Sequence, residues 1–255
     1  MLLAIDIGNT NIVVGCCDGE RICFMERLTT NHTATEMEYA IALNSVLSLK
    51  KTNAQLINGA IISSVVPSVT NSIKEAVRKL TGVEALIIGP GIKTGLSIKT
   101  DDPAKLGSDL VVDAVAAINE YGAPAIVFDM GTATTISVIN SNSEYLGTII
   151  MPGMMISLNA MVSGTSQLPK ISLDRPKRLI GTNSADCMKS GILYGTASGM
   201  DGMIDRIRKE IGDVKVIATG GLARTVVPLC KNDIILDDEL LIKGLMIIYN
   251  KNTDI

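Results

Sequence analysis

The sequence predicts an α/β protein built by duplication, and three stretches carry that reading. Leu2–Gly15 (LLAIDIGNTNIVVG) and Ala125–Val138 (AIVFDMGTATTISV) share one pattern: an apolar run, Asp-x-Gly amid Asn or Thr, then a second apolar run. Apolar runs of this length, bounded by Gly and small polar residues, read as buried strands joined by a tight hairpin. The third stretch, Val214–Ala223 (VKVIATGGLA), is an apolar run ending in Thr219-Gly220-Gly221. One Asp-x-Gly hairpin is an ordinary turn; two with the same flanks predict two similar halves.

The elements follow in order. Leu2–Val14 and Arg21–Leu28 read as consecutive strands. Thr35–Leu49 has apolar residues at helical spacing behind Thr35, and Glu38 stands where a capping box places its carboxylate. Gly59–Val65 is a buried strand, followed by a Pro-containing turn and an amphipathic helix to about Leu80. Glu84–Ile88 is a short strand, and a helix is expected from Gly107 or Ser108 to about Asn119. YGAP at Tyr121–Pro124 breaks that helix and places a domain boundary near Asn119–Pro124. In the second half, Ala125–Ile139 and Glu144–Ile150 supply strands, and MPGMM leads into a helix around Ile156–Met161. Thr165–Arg178 is irregular, and Ser184–Ile211 is one long helix with Gly191, Gly195 and Gly199 on one face, suited to close helix–helix approach. Strands Val214–Ala218 and Ile234–Leu236 and a helix over Glu239–Tyr249 complete the series. Strands alternating with helices in this way make a mixed sheet with helices on its faces.

Composition removes whole classes of function. With 255 residues, 47% of them hydrophobic, the chain has ample core, and two Phe, five Tyr and no Trp make that core aliphatic. A net charge near −3, without a basic run or an aromatic platform, gives no electrostatic case for nucleic acid or an anionic membrane. Gly and Pro interrupt the apolar stretch Gly147–Ile156, so no membrane span is expected, and the first apolar run ends at Asp6, too early for a signal peptide. Cys16, Cys17, Cys23, Cys187 and Cys230 are scattered without metal-site spacing and read as small buried hydrophobes of a reducing cytosol. His32, the only histidine, lies in a polar segment, which argues against Ser-His-Asp hydrolysis.

The chemistry resides in the turns. Gly8 and Gly131 remove a side chain where backbone must approach a ligand, and successive turn N–H groups cradle phosphate oxygens. Asn9, Thr10, Thr132, Thr134 and Thr135 add amide and hydroxyl donors. Asp6 and Asp129 repel phosphate and make sense only with a cation between. The two halves are therefore expected to grip one nucleotide from both sides, with Gly220 and Gly221 packed close against a flat ring such as adenine.

Two strand–DxG–strand loops in duplicated α/β halves resemble the actin-like ATPase (ribonuclease H-like) fold of acetate and sugar kinases. Within it the chain resembles type III pantothenate kinase over nearly its whole length. The residues that carry this are DIGNTNIVVG, GPGIKTGL at Gly89–Leu96, Gly107-Ser108-Asp109, DMGTATT, MPGMMISLNAM, TSQLPK and IGTNSADCMKSGI, collinear from Asp6 to Ile192. The resemblance implies two mixed-sheet halves, 1–120 and 121–255, with a nucleotide cleft between them. It implies ATP-dependent phosphorylation of pantothenate to 4′-phosphopantothenate, the first step of coenzyme A biosynthesis, by a cytoplasmic homodimer using ATP, Mg²⁺ and potassium or ammonium.

Residue roles follow from the same resemblance. Asp6, Ile7, Gly8, Asn9, Thr10, Asn11, Ile12 and Val13 form the ATP phosphate loop, with Asp6 near the divalent metal. Thr132 donates to an ATP phosphate and Asp129 helps hold the monovalent cation. Asp109 is by that resemblance the general base for the pantothenate hydroxyl; the residues alone favour a helix N-cap. Thr100, Gly107, Ser108, Leu110 and Ser184 fall on the acceptor side. The chain departs from the family pattern there: Leu110 replaces an arginine, Thr100 a tyrosine and Ser184 a threonine. Leu cannot make the bidentate carboxylate contact of a guanidinium, so either acceptor binding is weaker or a nearby donor such as Lys99 or Lys105 compensates. A kinase of another small hydroxy compound, or a catalytically silent nucleotide-binding regulator, are the alternative readings.

Overall fold

A computed structural model describes residues 1–253. It contains two compact units, each an α/β layer structure with its own mixed sheet. The first comprises Met1–Leu96, Asp101–Ala116 and the chain from Glu239 onward; the second comprises Ser97–Thr100 and Ala117–Asp238.

In the first unit the sheet begins with the expected hairpin. Strands β1 (Leu2–Ile7), β2 (Asn11–Asp18) and β3 (Arg21–Thr29) pair antiparallel, with Asp6 across from Val13 and Ile7 across from Ile12. Helix α1 (Glu36–Leu49) follows, and its capping box forms as the sequence predicts. Thr35 Oγ1 accepts from Glu38 N–H, while Glu38 accepts from Thr35 N–H at 2.8 Å. Strand β4 (Gly59–Ser64) runs parallel to β1, helix α2 (Pro67–Thr81) starts with proline in its first turn, and β5 (Leu86–Ile87) runs parallel to β4. The sheet order is β3-β2-β1-β4-β5.

Both faces of this sheet are covered, which is why β1 is apolar from Leu2 to Ile5 without alternation. Leu3, Ile5, Ile7 and Ile62 pack against Leu43 and Leu47 of α1 and Ile73 and Val77 of α2. Ala4, Cys17 and Ile61 face the other way, toward Val112 and Val115 of α3 (Ser108–Tyr121) and Ile242, Leu245 and Ile248 of the last helix, Leu240–Thr253.

The second unit repeats the plan. Its strands are β6 (Ser97–Ile98), β7 (Ala125–Met130), β8 (Ala133–Ile139), β9 (Glu144–Pro152), β10 (Lys215–Thr219) and β11 (Ile235–Leu236). β7, β8 and β9 form an antiparallel meander, and β10 and β11 extend it parallel on the far side of β7, matching β1 to β5 in order and direction. β6 adds a sixth strand parallel to β9. Helices α4 (Met154–Gly164), α5 (Ser184–Ile211) and the short α6 (Ala223–Val226) cover one face, where Phe128, Met130 and Ile136 meet Leu158, Leu193, Met200 and Val226.

The packing differs from a division into 1–120 and 121–255. The final helix, α7 (Leu240–Thr253), belongs to the first sheet, and the boundary between units falls inside α3. The last two residues of the expected second half lie outside the described residues. β6 and α6 were not expected. The cysteine expectation holds for Cys16 and Cys17, whose thiols burial pushes up to about 11 and about 12. It fails for Cys23 and Cys187, which are exposed, the former because it sits on edge strand β3. Among the described residues no helix is long and apolar enough to cross a membrane.

Candidate active site

Functional groups of the first unit gather at the carboxyl ends of β1 and β4, where parallel strands present ligand sites. Asp6 is buried in the last turn of β1, register partner of Ser63 on β4. The turn after it is tight, with Gly8 N–H donating to Asn11 O at 3.0 Å. It is braced from beyond β3: Thr30 Oγ1 donates to Gly8 O at 2.6 Å and Thr30 N–H to Thr10 O at 3.0 Å. Asn9, Thr10 and Asn11 are exposed on its outside. Ile7 and Ile12 are wholly buried, so within 6–13 their side chains build core, and only their backbone remains for a ligand.

Asp109 lies in the first turn of α3. Its Oδ1 accepts from Leu110 N–H at 2.9 Å. Burial pushes its carboxyl above the usual carboxylate range; the N–H groups of Leu110 and of Asp109 itself oppose that shift without cancelling it. Ser108, not Asp109, opens α3, so Asp109 is not its N-cap; the carboxylate instead bonds the backbone of its own first turn, and its raised proton affinity is compatible with a proton acceptor. A Cβ on Gly107 would meet Asp109 Oδ1, so the carboxylate as placed occupies the space this glycine leaves. Ser108 turns inward, toward Ser63 and Ser64 of β4. Leu110 is half-buried.

In the second unit the corresponding strand end carries Asp129, flanked in register by Thr135 on β8 and Thr219 on β10. Thr135 Oγ1 is buried without a hydrogen-bond partner. Gly131 and Thr132 form the exposed hairpin turn. A Cβ on Gly131 would meet nothing nearer than Ala133 O at 3.7 Å and the Asp129 carboxylate at 3.8 Å, so the chain itself leaves that space open. Gly153, N-cap of α4, lies against the turn, where any Cβ would strike Thr132 O. Gly220 has φ +96°, and its missing Cβ is occupied by Met130 backbone atoms at 2.6–2.7 Å, so this glycine is spent on packing β10's loop against β7. Gly221 is exposed beside it.

Thr100 and Ser184 also belong to the second unit. Thr100 Oγ1 is buried without a partner, and Ser184 is the exposed first residue of α5 behind the capping side chain of Asn183. Neither lysine proposed to replace a guanidinium stands alone: Lys99 pairs with Glu144 at 3.0 Å and Lys105 with Asp102 at 2.9 Å. Sequence reasoning missed Ser63, Thr30 and Gly153. Ser63 and Thr30 act through tertiary hydrogen bonds with no local pattern, whereas the Pro-Gly of MPGMM was a visible signal for Gly153.

The donor set fits a magnesium nucleotide. Among the described residues no three His, Cys, Asp or Glu side chains cluster into a metal cage. Mg²⁺ bound through phosphates needs only one or two carboxylates, and Asp6 supplies one beside an exposed Gly-Asn-Thr-Asn turn. The partnerless Thr135 hydroxyl across from Asp129 suits a hard monovalent cation.

Comparison with known proteins agrees with this geometry. The sequence profile of type III pantothenate kinases matches residues 2–206. The type III pantothenate kinase of Halalkalibacterium halodurans is 46% identical over 253 residues, covering 99% of this chain and 100% of that protein. That of Exiguobacterium sp. is 39% identical over 252 residues, 99% of each. Among solved structures, the activator of the 2-hydroxyisocaproyl-CoA dehydratase from Clostridium difficile with bound ADPNP superposes with a TM-score of 0.58 at 13% identity, covering 99% of this chain and 94% of that one. Component A of (R)-2-hydroxyglutaryl-CoA dehydratase from Acidaminococcus fermentans gives 0.55 at 14%, covering 97% and 95%. At such identities these two show the fold, that of the actin-like ATPases.

Proposed function

Because the chain belongs to the type III pantothenate kinase family, we propose that it phosphorylates pantothenate to 4′-phosphopantothenate with ATP, the first step of coenzyme A biosynthesis. The observation that carries this is likeness to relatives of that activity along the entire chain. The protein is a kinase, a phosphotransferase with an alcohol acceptor.

The residues divide the work. The Gly8–Asn11 turn and Thr132 donate to phosphate oxygens, holding the transferred group in place. Asp6 would hold Mg²⁺, which when bound would supply positive charge against that developing on the phosphates. Asp129, with Thr135 and Thr219 beside it in register, would hold the monovalent cation. Exposed Gly221 gives the adenine a side on which backbone can approach closely, while Gly220 shapes the loop. Asp109 accepts the proton of the pantothenate hydroxyl as that oxygen attacks the γ-phosphorus. Its burial raises proton affinity, and Leu110 N–H orients one carboxylate oxygen. On the acceptor side Thr100 offers a hydroxyl without an internal partner, and Ser184 an exposed one.

The protein works as a homodimer in the cytoplasm. Among the described residues nothing beyond the helix's own backbone and chain neighbours lies within 4 Å of a Cβ at Gly191 or Gly195 of α5, and exposed Leu179 and Ile180 border the same groove of 460 Å³. A second copy of α5 accounts for that surface. All five cysteines are free, as a reducing compartment requires.

The test is ATP consumption with pantothenate against a panel of small alcohols, with and without potassium. Turnover selective for pantothenate is expected. Turnover only with another alcohol moves the acceptor assignment, and nucleotide binding without turnover on any acceptor identifies a silent paralogue.

A further inference from the structure

One hydroxyl at the end of β4 is fully committed, and it belongs to the residue before the base. Strand β5 supports the outer edge of β4 only as far as Ile62, whose carbonyl accepts from Ile88 N–H at 2.8 Å. The next backbone groups on that edge are those of Ser64. They meet a side chain instead of a strand: Ser108 Oγ accepts from Ser64 N–H at 3.0 Å and donates to Ser64 O at 3.1 Å. Ser63 Oγ lies 2.9 Å from Ser108 Oγ. A hydroxyl has one proton and two lone pairs, so three partners exhaust it. Ser108 therefore has nothing left for a ligand, although its position in the Gly107–Leu110 turn pointed to acceptor binding.

What it does instead follows from its neighbours. Ser63 is wholly buried and is the register partner of Asp6. Asp109 immediately follows Ser108, and its carboxylate folds back onto its own helix start through Leu110 N–H, in the space left by Gly107. Where that helix begins thus decides where the carboxylate stands. We propose that Ser63 and Ser108 are positioning residues for Asp109, their hydroxyls pinning the first turn of α3 to the end of β4. This rests on Asp109 being the base. The pin holds the base at a fixed place relative to the strand end that carries Asp6. Catalysis is steeply sensitive to such placement, a displacement of about 1 Å costing on the order of 10²-fold.

The experiment measures kcat and both KM values on the full chain for Ser108→Ala, Ser63→Ala and Ser108→Thr, with Asp109→Asn alongside and thermal melting of each. Ser108→Ala is expected to lower kcat by about tenfold or more at unchanged KM for ATP, since a base shifted by a fraction of an ångström loses rate but not nucleotide. Ser63→Ala moves the same way by less, and Ser108→Thr restores most of the rate by returning the hydroxyl. A lower melting point with kcat within twofold of wild type overturns the proposal, because the hydroxyl then only stabilises the fold. So does a folded Ser108→Thr that recovers no rate. Should Ser108→Ala not fold, Ser63→Ala decides: it leaves both Ser64 bonds intact, and an unchanged kcat overturns the proposal. Full activity in Asp109→Asn would instead defeat the base assignment, a distinguishable failure.

Discussion

Replacing Asp109 by Asn keeps the side chain's shape and its bond from Leu110 N–H but removes the charge, and two consequences point in opposite directions. Loss of a positioned base lowers kcat about 10²–10⁴-fold, or about 2.7–5.4 kcal/mol of barrier at about 1.36 kcal/mol per tenfold. Stability moves the other way. Burial holds this carboxyl above its ordinary value in the folded state. The native protein therefore binds that proton more tightly than the unfolded chain does. Its contribution to folding is largest below the unfolded value and is withdrawn as pH rises through the folded one. At pH 8 the wild type carries a buried charge that the Asn variant lacks, so the variant melts higher. The gap closes as pH falls toward about 4, the ordinary carboxylate value. Wild-type turnover should fall on acidification as the base takes up its proton. Single-turnover phosphoryl transfer at saturating ATP, with calorimetric melting from pH 5 to 8, measures both effects. A rate loss below tenfold, or a variant that melts lower at pH 8, refutes the reasoning.

Asp129→Ala removes the carboxylate proposed to hold the cation, opposite the partnerless Thr135 hydroxyl, and titration calorimetry should find ATP binding no longer responsive to potassium; an unchanged response rules that role out. Leu110→Arg restores a guanidinium one residue beyond the base, and the apparent KM for pantothenate should fall by about tenfold or more, in line with a charge-assisted hydrogen bond. An unaltered KM at an unaltered melting point counts against a carboxylate site at that position. Gly220→Ala must accept φ +96° and a Cβ within 2.6–2.7 Å of Met130 backbone. Urea denaturation should show a loss of about 2–5 kcal/mol, strain and overpacking together, and a wild-type midpoint would remove the case for that packing.

Local signals were legible where one segment carries its own instruction. Thr35 and Glu38 announced a capping box that forms as read, and the helix Ser184–Ile211 appears with the bounds its sequence suggested. The two Asp-x-Gly hairpins revealed the duplication because apolar runs and turn residues alternate locally. What stayed hidden depends on distant partners. β6 is two residues long and exists because Ser97 and Ile98 pair with Glu144 and Tyr145. Ser63 looks like any strand serine until α3 is folded over it. Gly220 was read as making way for a ring, but the space is taken by the protein's own β7, a contact that no pattern around residue 220 encodes. The apolar periodicity of α7 was visible; which sheet it joins was not.

That last helix bears on how the molecule is made. The first sheet's second face stays bare of Ile242, Leu245 and Ile248 until the chain has been synthesised past the whole of the second unit. The second unit is nearly continuous in sequence and can consolidate early, whereas the first must wait, with Ala4 and Ile61 covered only by α3, for residues about 180 to 240 positions away. Nascent chains cut before Leu240 therefore hold a half-clad sheet, a target for chaperones and proteases. A lesion in α7 would act on the supply of active enzyme through biogenesis, however far it lies from the chemistry.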